Sequence, residues 1–365
     1  MSAARAPRVL VAPDKFKGSL SAPLVAEAVA AGVRRVLPDV DVDCVPVADG
    51  GDGTLDAAVA SGFERVLVTA SGPTGQPVRT AARIGGATAV VEMADVCGLG
   101  RLPGGTPAPL TASSRGLGEV MAYALDAGCR DLVVGIGGSA STDGGLGVLC
   151  ALGARDDGDR LELDGLHPAL AESRVVVACD VDNPLTGPDG AAAVYAPQKG
   201  ASSDDVARLD ARLVRWADRV AAATVSTRRD EPGAGAAGGV GFGLVAALGA
   251  ELRPGIALML DLLGFDDRVR RASLVVTGEG SLDAQSLRGK APIGVSTAAA
   301  RVGAPVVAVC GRNLLAANQL AAAGIRAAYA LTEVEPDLTT CLSEPARLLG
   351  DLGERIARDH LVRLA

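Results

Sequence analysis

Of the 35 basic residues in this 365-residue chain, four are lysine: Lys15, Lys17, Lys199 and Lys290. Each lies beside or near a glycine, in PDKFKG, APQKG and LRGK. Lysine is a compact, mobile point charge suited to one phosphate or carboxylate oxygen, whereas arginine is a planar fork. A chain that draws nearly all its positive charge from arginine and keeps lysine for such loops is placing those ammonium groups. Lys15, Lys17 and Lys290 are therefore expected to meet anions.

Carboxylates recur in loops of the same kind. ADGGDGT (48–54) carries Asp49 and Asp52, ACDVDNP (178–184) carries Asp180 and Asp182, and TGEGSLD (277–283) ends on Asp283. Hard oxygen donors at strand ends suit Mg²⁺, which takes one or two carboxylates together with substrate phosphates. Asp49 and Asp180 carry the functional reading, while Asp52 and Asp182 could equally serve as turn or cap residues. The only histidines are His167 and His360. Acid–base chemistry is then expected to fall to carboxylates and lysines, and a histidine-rich zinc site is not expected.

Two glycine patterns resemble phosphate cradles. Gly135, Gly137 and Ala140 follow the apolar run DLVV and lead towards a helix, so backbone N–H groups at Gly137 and Gly138 and the hydroxyls of Ser139, Ser141 and Thr142 could hold phosphate. Gly233, Gly235 and Gly238 follow RRDEP and no strand, so a dinucleotide reading lacks its context there. No Walker A sequence is present, which disfavours a P-loop fold.

These loops need elements to carry them. The first 60 residues read as strand 8–13, helix 22–37, strand 42–48 and helix 54–61, and the rhythm resumes with strands 273–278, 305–311 and 327–332. Five strands joined by helices suit a doubly wound, flavodoxin-like sheet, whose ligands bind beyond the carboxyl ends of the strands. Those ends read PDKFKGS, ADGGDGT, TGEGSLD, CGRN and LTE. The middle third looks inserted. It holds an antiparallel pair over 78–94, strands at 131–137 and 174–180, a long helix over 204–224, and a glycine-rich turn at 232–249 that enters a buried helix. The expected fold is α/β with two domains, 1–62 with 268–365 and an inserted 63–267.

Composition fits that class. Apolar residues make up 48% of the chain and aromatics 2%, so the cores must be built from Ala, Val and Leu. A formal charge of −8 without a basic stripe argues against nucleic acid and for small-molecule partners. Seven cysteines without a C-x-x-C pair read as reduced core residues. No apolar stretch suits a signal peptide or a membrane span, so a cytoplasmic protein with no membrane partner is expected.

At these loops the sequence resembles the bacterial glycerate kinase family of the type called glycerate kinase I. The matching stretches are VAPDKFKGSLSA, PVADGGDGT, GIGGSASTDGG, ACDVDNPLTGPDGAAAVYAPQKGA, PGAGAAGGVGFGL and VVTGEGSLDAQSLRGKAPIGV, in the family's order along nearly the whole chain. The resemblance implies an enzyme that uses ATP and Mg²⁺ to phosphorylate D-glycerate, commonly to 2-phosphoglycerate, with a restriction-endonuclease-like domain inserted in a flavodoxin-like one. Ser281 departs from relatives that often carry a basic residue in GEG-x-x-D. Phosphoryl transfer asks for positioning, charge neutralisation and a base near the attacking hydroxyl. Asp49 is read as that base, with Asp283 as the alternative. Lys15 and Lys290 would neutralise the transferring group, Lys17, Ser19 and Asp52 would hold the glycerate, the turn at Gly137, Gly138, Ser139 and Ser141 would bind ATP phosphates, and Asp180 would bind Mg²⁺. A 3-phosphoglycerate product, another sugar acid, and a catalytically silent sensor stay open, as do monomer and homodimer.

Overall fold

The structure is a computed structural model and describes residues 7–51, 53–60 and 62–362. Its strands in chain order are β1 (Arg8–Pro13), β2 (Asp41–Cys44), β3 (Glu64–Ser71), β4 (Pro77–Gly85), β5 (Thr88–Glu92), β6 (Asp131–Gly135), β7 (Arg155–Asp156), β8 (Leu161–Glu162), β9 (Arg174–Ala178), β10 (Glu251–Arg253), β11 (Leu274–Leu282), β12 (Val306–Asn313) and β13 (Ile325–Ala330). The chain divides into two compact units. One comprises Met1–Asp49, Asp56–Ser61 and Ile256–Ala365, and the other Gly50–Leu55 and Gly62–Gly255.

The first unit is built on a five-stranded sheet ordered β13-β12-β11-β1-β2, in which every pairing is parallel. Numbered within the sheet this is 2-1-3-4-5, the flavodoxin-like order. Period-two alternation along β1 explains its two layers. Val9 and Val11 face the helices Ala22–Val36 and Pro345–His360 through Val25, Val29, Leu349 and Leu352, while Leu10 and Ala12 face Ile256, Leu260 and Val295. Each such fully buried Val or Leu contributes about 1.5–3 kcal/mol. The first of these helices starts with Pro23 in its first turn, buries Val25, Ala26, Val29, Ala30 and Val33 at helical spacing, and ends on Arg34 and Arg35, which suit the negative end of the helix dipole.

Two stretches expected as rim loops are strand. TGEGSLD lies mostly in β11 and CGRN in β12, paired as Glu279 with Cys310, Ser281 with Arg312 and Leu282 with Asn313. The physical reason is close approach rather than turning. A Cβ at Gly278 would lie 2.2 Å from the Val309 carbonyl oxygen, so glycine lets the two strands continue side by side. Conversely, β2 stops at Cys44 where residues to 48 were expected, although Val45 and Val47 still donate to the Val11 and Pro13 carbonyls at 2.8 and 2.9 Å. That extended run delivers Asp49 alongside the end of β1.

The second unit has a mixed six-stranded sheet, β10-β9-β6-β5-β4-β3, in which β4 runs antiparallel to both β3 and β5 and the rest is parallel. The long helix Ser203–Thr224 is closed at its start by a Ser202–Asp205 capping box and buries Leu209, Leu213, Trp216 and Val220. The Trp216 indole N–H donates to the Gly144 carbonyl at 2.9 Å, tying this helix to the loop after β6. The glycine-rich run enters the buried helix Ala236–Leu248 as expected, and Gly238 packs so closely on that loop that a Cβ would sit 2.1 Å from the Ser141 carbonyl oxygen. All seven cysteines are free thiols.

Candidate active site

In the first unit the chemistry gathers at the carboxyl ends of β1, β2 and β11. Asp14 follows β1 directly, its N–H bonded to the Gly278 carbonyl at 2.8 Å, and its Oδ1 accepts from the Lys15 N–H at 2.6 Å. The chain then makes a tight turn closed by Phe16 N–H to the Leu20 carbonyl at 2.8 Å. Buried Phe16 anchors that turn, Lys17 is exposed at its tip, and the Ser19 hydroxyl donates to the Phe16 carbonyl at 3.1 Å. Lys290 stands immediately before the helix Ala291–Ala300, with its ammonium 4.0 Å from Glu279 Oε2.

Electrostatics binds this group together. Burial, reinforced by the facing carboxylates Asp49 and Glu279, pushes the Asp14 carboxyl up from 3.8 to about 7, against the pull of Lys15. Glu279, on β11, is also raised above its ordinary range, first by burial and then by Asp283 and Asp49, while Lys290 opposes the shift. Its Oε1 is buried with no hydrogen-bond partner among the described residues. Asp49, Lys15, Lys290 and Asp283 thus all act on Asp14 or Glu279. Asp283 is otherwise engaged in its own turn, accepting from the Gln285 and Ser286 N–H groups at 2.8 and 3.3 Å. Opposite Ser281, the position lacking a basic side chain, stands Arg312, so a guanidinium reaches this place from the neighbouring strand.

In the second unit the loop 136–145 leaves the end of β6. Leu99 N–H bonds to the Gly138 carbonyl at 3.0 Å and Ala140 N–H to the Cys97 carbonyl at 3.1 Å, so one side of the loop is fixed by backbone. A Cβ at Gly137 would lie 2.8 Å from the Gly51 Cα, which is why this turn needs glycine. Gly137 is partly exposed and Gly138 exposed, Ser139 is buried at 6% exposure, and Ser141 and Thr142 are fully closed off. The hydroxyls of Ser141 and Thr142 have no partner among the described residues. Asp143 caps the loop's far end, accepting from the Ser114 N–H and hydroxyl at 2.8 and 2.9 Å and from the Gly145 N–H at 3.1 Å.

The segment Gly50–Leu55 is clamped by two buried charged side chains: Glu92 Oε2 accepts from the Leu55 N–H at 3.2 Å, and Arg83 Nε donates to the Leu55 carbonyl at 3.2 Å. Asp52, expected at the substrate, lies outside the described residues. Asp180 follows β9 as an exposed side chain whose Oδ1 accepts from the Gly255 N–H at 2.8 Å. No group of three or more His, Cys, Asp or Glu among the described residues could hold a metal. An exposed single carboxylate fits Mg²⁺ only in the mode where phosphates complete its shell.

Three residues with perturbed surroundings escaped the sequence reading. Asp14 had a usable signal, a carboxylate directly after a central strand. Glu279 was hidden by the assumption that GEG is a turn. Lys199, one of the four loop lysines, is buried at 2% exposure, donating to Ser139 Oγ at 2.8 Å and the Ser141 carbonyl at 2.5 Å.

A parallel sheet that presents carboxylates and ammonium groups at its carboxyl ends, with a glycine–serine turn in a second unit, has parts suited to moving a phosphoryl group. Residues 9–361 match the model of the glycerate kinase family. The chain belongs to the glycerate kinase family. It is 41% identical to a protein of Bacillus subtilis (strain 168) named glycerate kinase, covering 96% of each chain. A protein of Escherichia coli (strain K12) named glycerate 2-kinase is likewise 41% identical, over 83% of this chain and 85% of that protein. Among solved structures, a candidate glycerate kinase 2 from Salmonella typhimurium LT2 superposes with a TM-score of 0.86 at 38% identity, over 97% of this chain and 98% of that one. Membership of the glycerate kinase family accounts for the two-unit α/β architecture, and no helix among the described residues is long and apolar enough to cross a membrane.

Proposed function

We propose that the protein transfers the γ-phosphoryl group of ATP to the 2-hydroxyl of D-glycerate, giving 2-phosphoglycerate, in the cytoplasm. The observation that carries this reading is the group at the carboxyl ends of the flavodoxin-like sheet, where Asp14, Asp49 and Glu279 face one another and Lys15 and Lys290 face them. The Asp14 carboxyl, held at about 7 by burial and the facing carboxylates, keeps a proton beside Asp49 over part of the working range and so limits the negative charge gathered there.

Asp49 takes the proton of the attacking hydroxyl, with the Asp14 carboxyl facing it. Lys15 and Lys290 offset the charge on the transferring phosphoryl oxygens. Lys17, exposed on its turn, and Ser19 bind the glycerate carboxylate, with Asp52 assigned to its hydroxyls. Asp283, whose Oδ1 accepts from the Gln285 and Ser286 N–H groups, is the alternative base. In the second unit, the turn at Gly137 and Gly138 with Ser139 is assigned to the ATP phosphates together with Ser141, whose carbonyl accepts from the Lys199 ammonium. Mg²⁺, held by Asp180 and those phosphates, would supply charge neutralisation. ATP-dependent turnover of D-glycerate by the wild type and by Asp49→Asn tests the assignment. Wild-type turnover in the variant would remove Asp49 as the base.

A further inference from the structure

A buried cation without a matching carboxylate needs a counter-charge from somewhere. Lys199 ends the short turn Pro197–Lys199 and is 2% exposed, yet no carboxylate lies within 4.0 Å of its ammonium among the described residues. Two of its three N–H bonds are spent on Ser139 Oγ and the Ser141 carbonyl. Isolated buried ammonium groups are costly, so such a residue is kept only where something offsets its charge. The polar groups of the same loop point the same way, since the Ser141 and Thr142 hydroxyls are fully buried and have no partner among the described residues. Outward of the ammonium, through Ser139, lies the part of the loop that solvent reaches, Gly137 and Gly138.

We propose that Lys199 is the charge-supplying and positioning residue of an anion site on the 137–139 turn, acting through Ser139 and the Ser141 carbonyl, with the polyphosphate of a nucleotide as the anion. This rests on the assignment of that turn to ATP phosphates. The ammonium orients the Ser139 hydroxyl and the loop backbone, and a bound phosphate supplies the missing negative charge. The charged group that acts on it is Asp143 of the same loop; on the loop's other contacts, the Arg212 guanidinium of the long helix donates to the Thr142 carbonyl at 3.1 Å, and the Cys97 carbonyl accepts from the Ala140 N–H while its thiol is pushed up to about 12, chiefly by burial. Of these, Asp143 holds the Lys199 proton on, while burial lowers its pKa to about 8. An anion placed over the turn favours the charged form, so binding near pH 8 must take up protons at a pH where the nucleotide's own phosphates are already ionised.

The test is calorimetric titration of the full chain with ATP in the absence of glycerate, in two buffers of different ionisation enthalpy, and with tripolyphosphate at pH near 7 for affinity alone. For the wild type we expect uptake of about half a proton at pH near 8 and a loss of affinity of about tenfold between pH near 7 and pH near 9. Lys199→Gln keeps an N–H donor under the loop but not the charge. It is expected to bind about tenfold more weakly at pH near 7, to show no proton uptake, and to leave the KM for glycerate within about twofold. Proton uptake in the wild type tests the idea even if the variant does not fold. Nucleotide binding that neither takes up protons nor weakens in Lys199→Gln would overturn the inference and leave the kinase reading standing. Lys199-dependent binding of tripolyphosphate without nucleotide binding would support the anion site and overturn the assignment of the turn to ATP. Failure to bind either compound would overturn both.

Discussion

Asp14→Asn is expected to make the protein more stable and less active at the same time, with a stability gain that depends on pH. The carboxyl of Asp14 is raised from 3.8 to about 7, first by burial and then by Asp49 and Glu279. A raised carboxyl pKa means the folded state holds a proton that the unfolded chain has released, so the stabilisation given by that proton is complete below about 3.8 and gone above about 7. Asparagine imitates the protonated group at every pH, and its side-chain oxygen can still accept the Lys15 N–H. The full shift corresponds to about 4 kcal/mol, and because the side chain is only half-buried, solvent screening reduces this to about 1–2 kcal/mol at pH near 8. Melting temperatures of wild type and variant at pH near 5 and near 8 read the effect directly. The variant should gain a few degrees at the higher pH and much less at the lower, while kcat falls at least about tenfold. An equal shift at both pH values, or a loss of stability at the higher one, would refute the reasoning.

Other outcomes follow from single features. Lys290→Met removes the ammonium beside Glu279, and kcat/KM for glycerate should fall about 10²-fold or more in a coupled ADP assay while the urea midpoint moves little. Gly278→Ala places a Cβ 2.2 Å from the Val309 carbonyl oxygen between β11 and β12, and should cost about 2–3 kcal/mol in urea unfolding. Thr142→Val replaces a fully buried hydroxyl that has no partner among the described residues with a methyl group, so the ligand-free protein should gain about 1 kcal/mol by the same measurement.

What the sequence made legible was mostly what period-two and helical spacing encode. The apolar runs around Val9, Val275 and Val307 mark parallel strands because both faces of such a sheet are covered, and the heptad-like spacing from Leu209 to Val220 marks the long helix. The family motifs then located the chemistry-bearing loops. Glycine misled where its purpose was proximity rather than turning: Gly278, Gly280 and Gly311 lie within paired strands, so Glu279 projects from a strand and not from a flexible loop. β3 gave little signal, since its residues alternate between exposed and half-buried and only Ala70 is fully covered. Lys199 shows a different limit. Composition singled it out, but only the fold reveals that its ammonium turns inward beneath Ser139, because that contact joins residues 60 positions apart.

The most direct test of the account is incubation of the purified protein with ATP, Mg²⁺ and D-glycerate, followed by phosphorus and proton NMR of the product. The account predicts ATP-dependent formation of glycerate phosphorylated on O2, slowed about 10²-fold or more in the Lys290→Met variant. Phosphate on O3 would contradict the product assignment, and no phosphorylated glycerate at all would contradict the central claim.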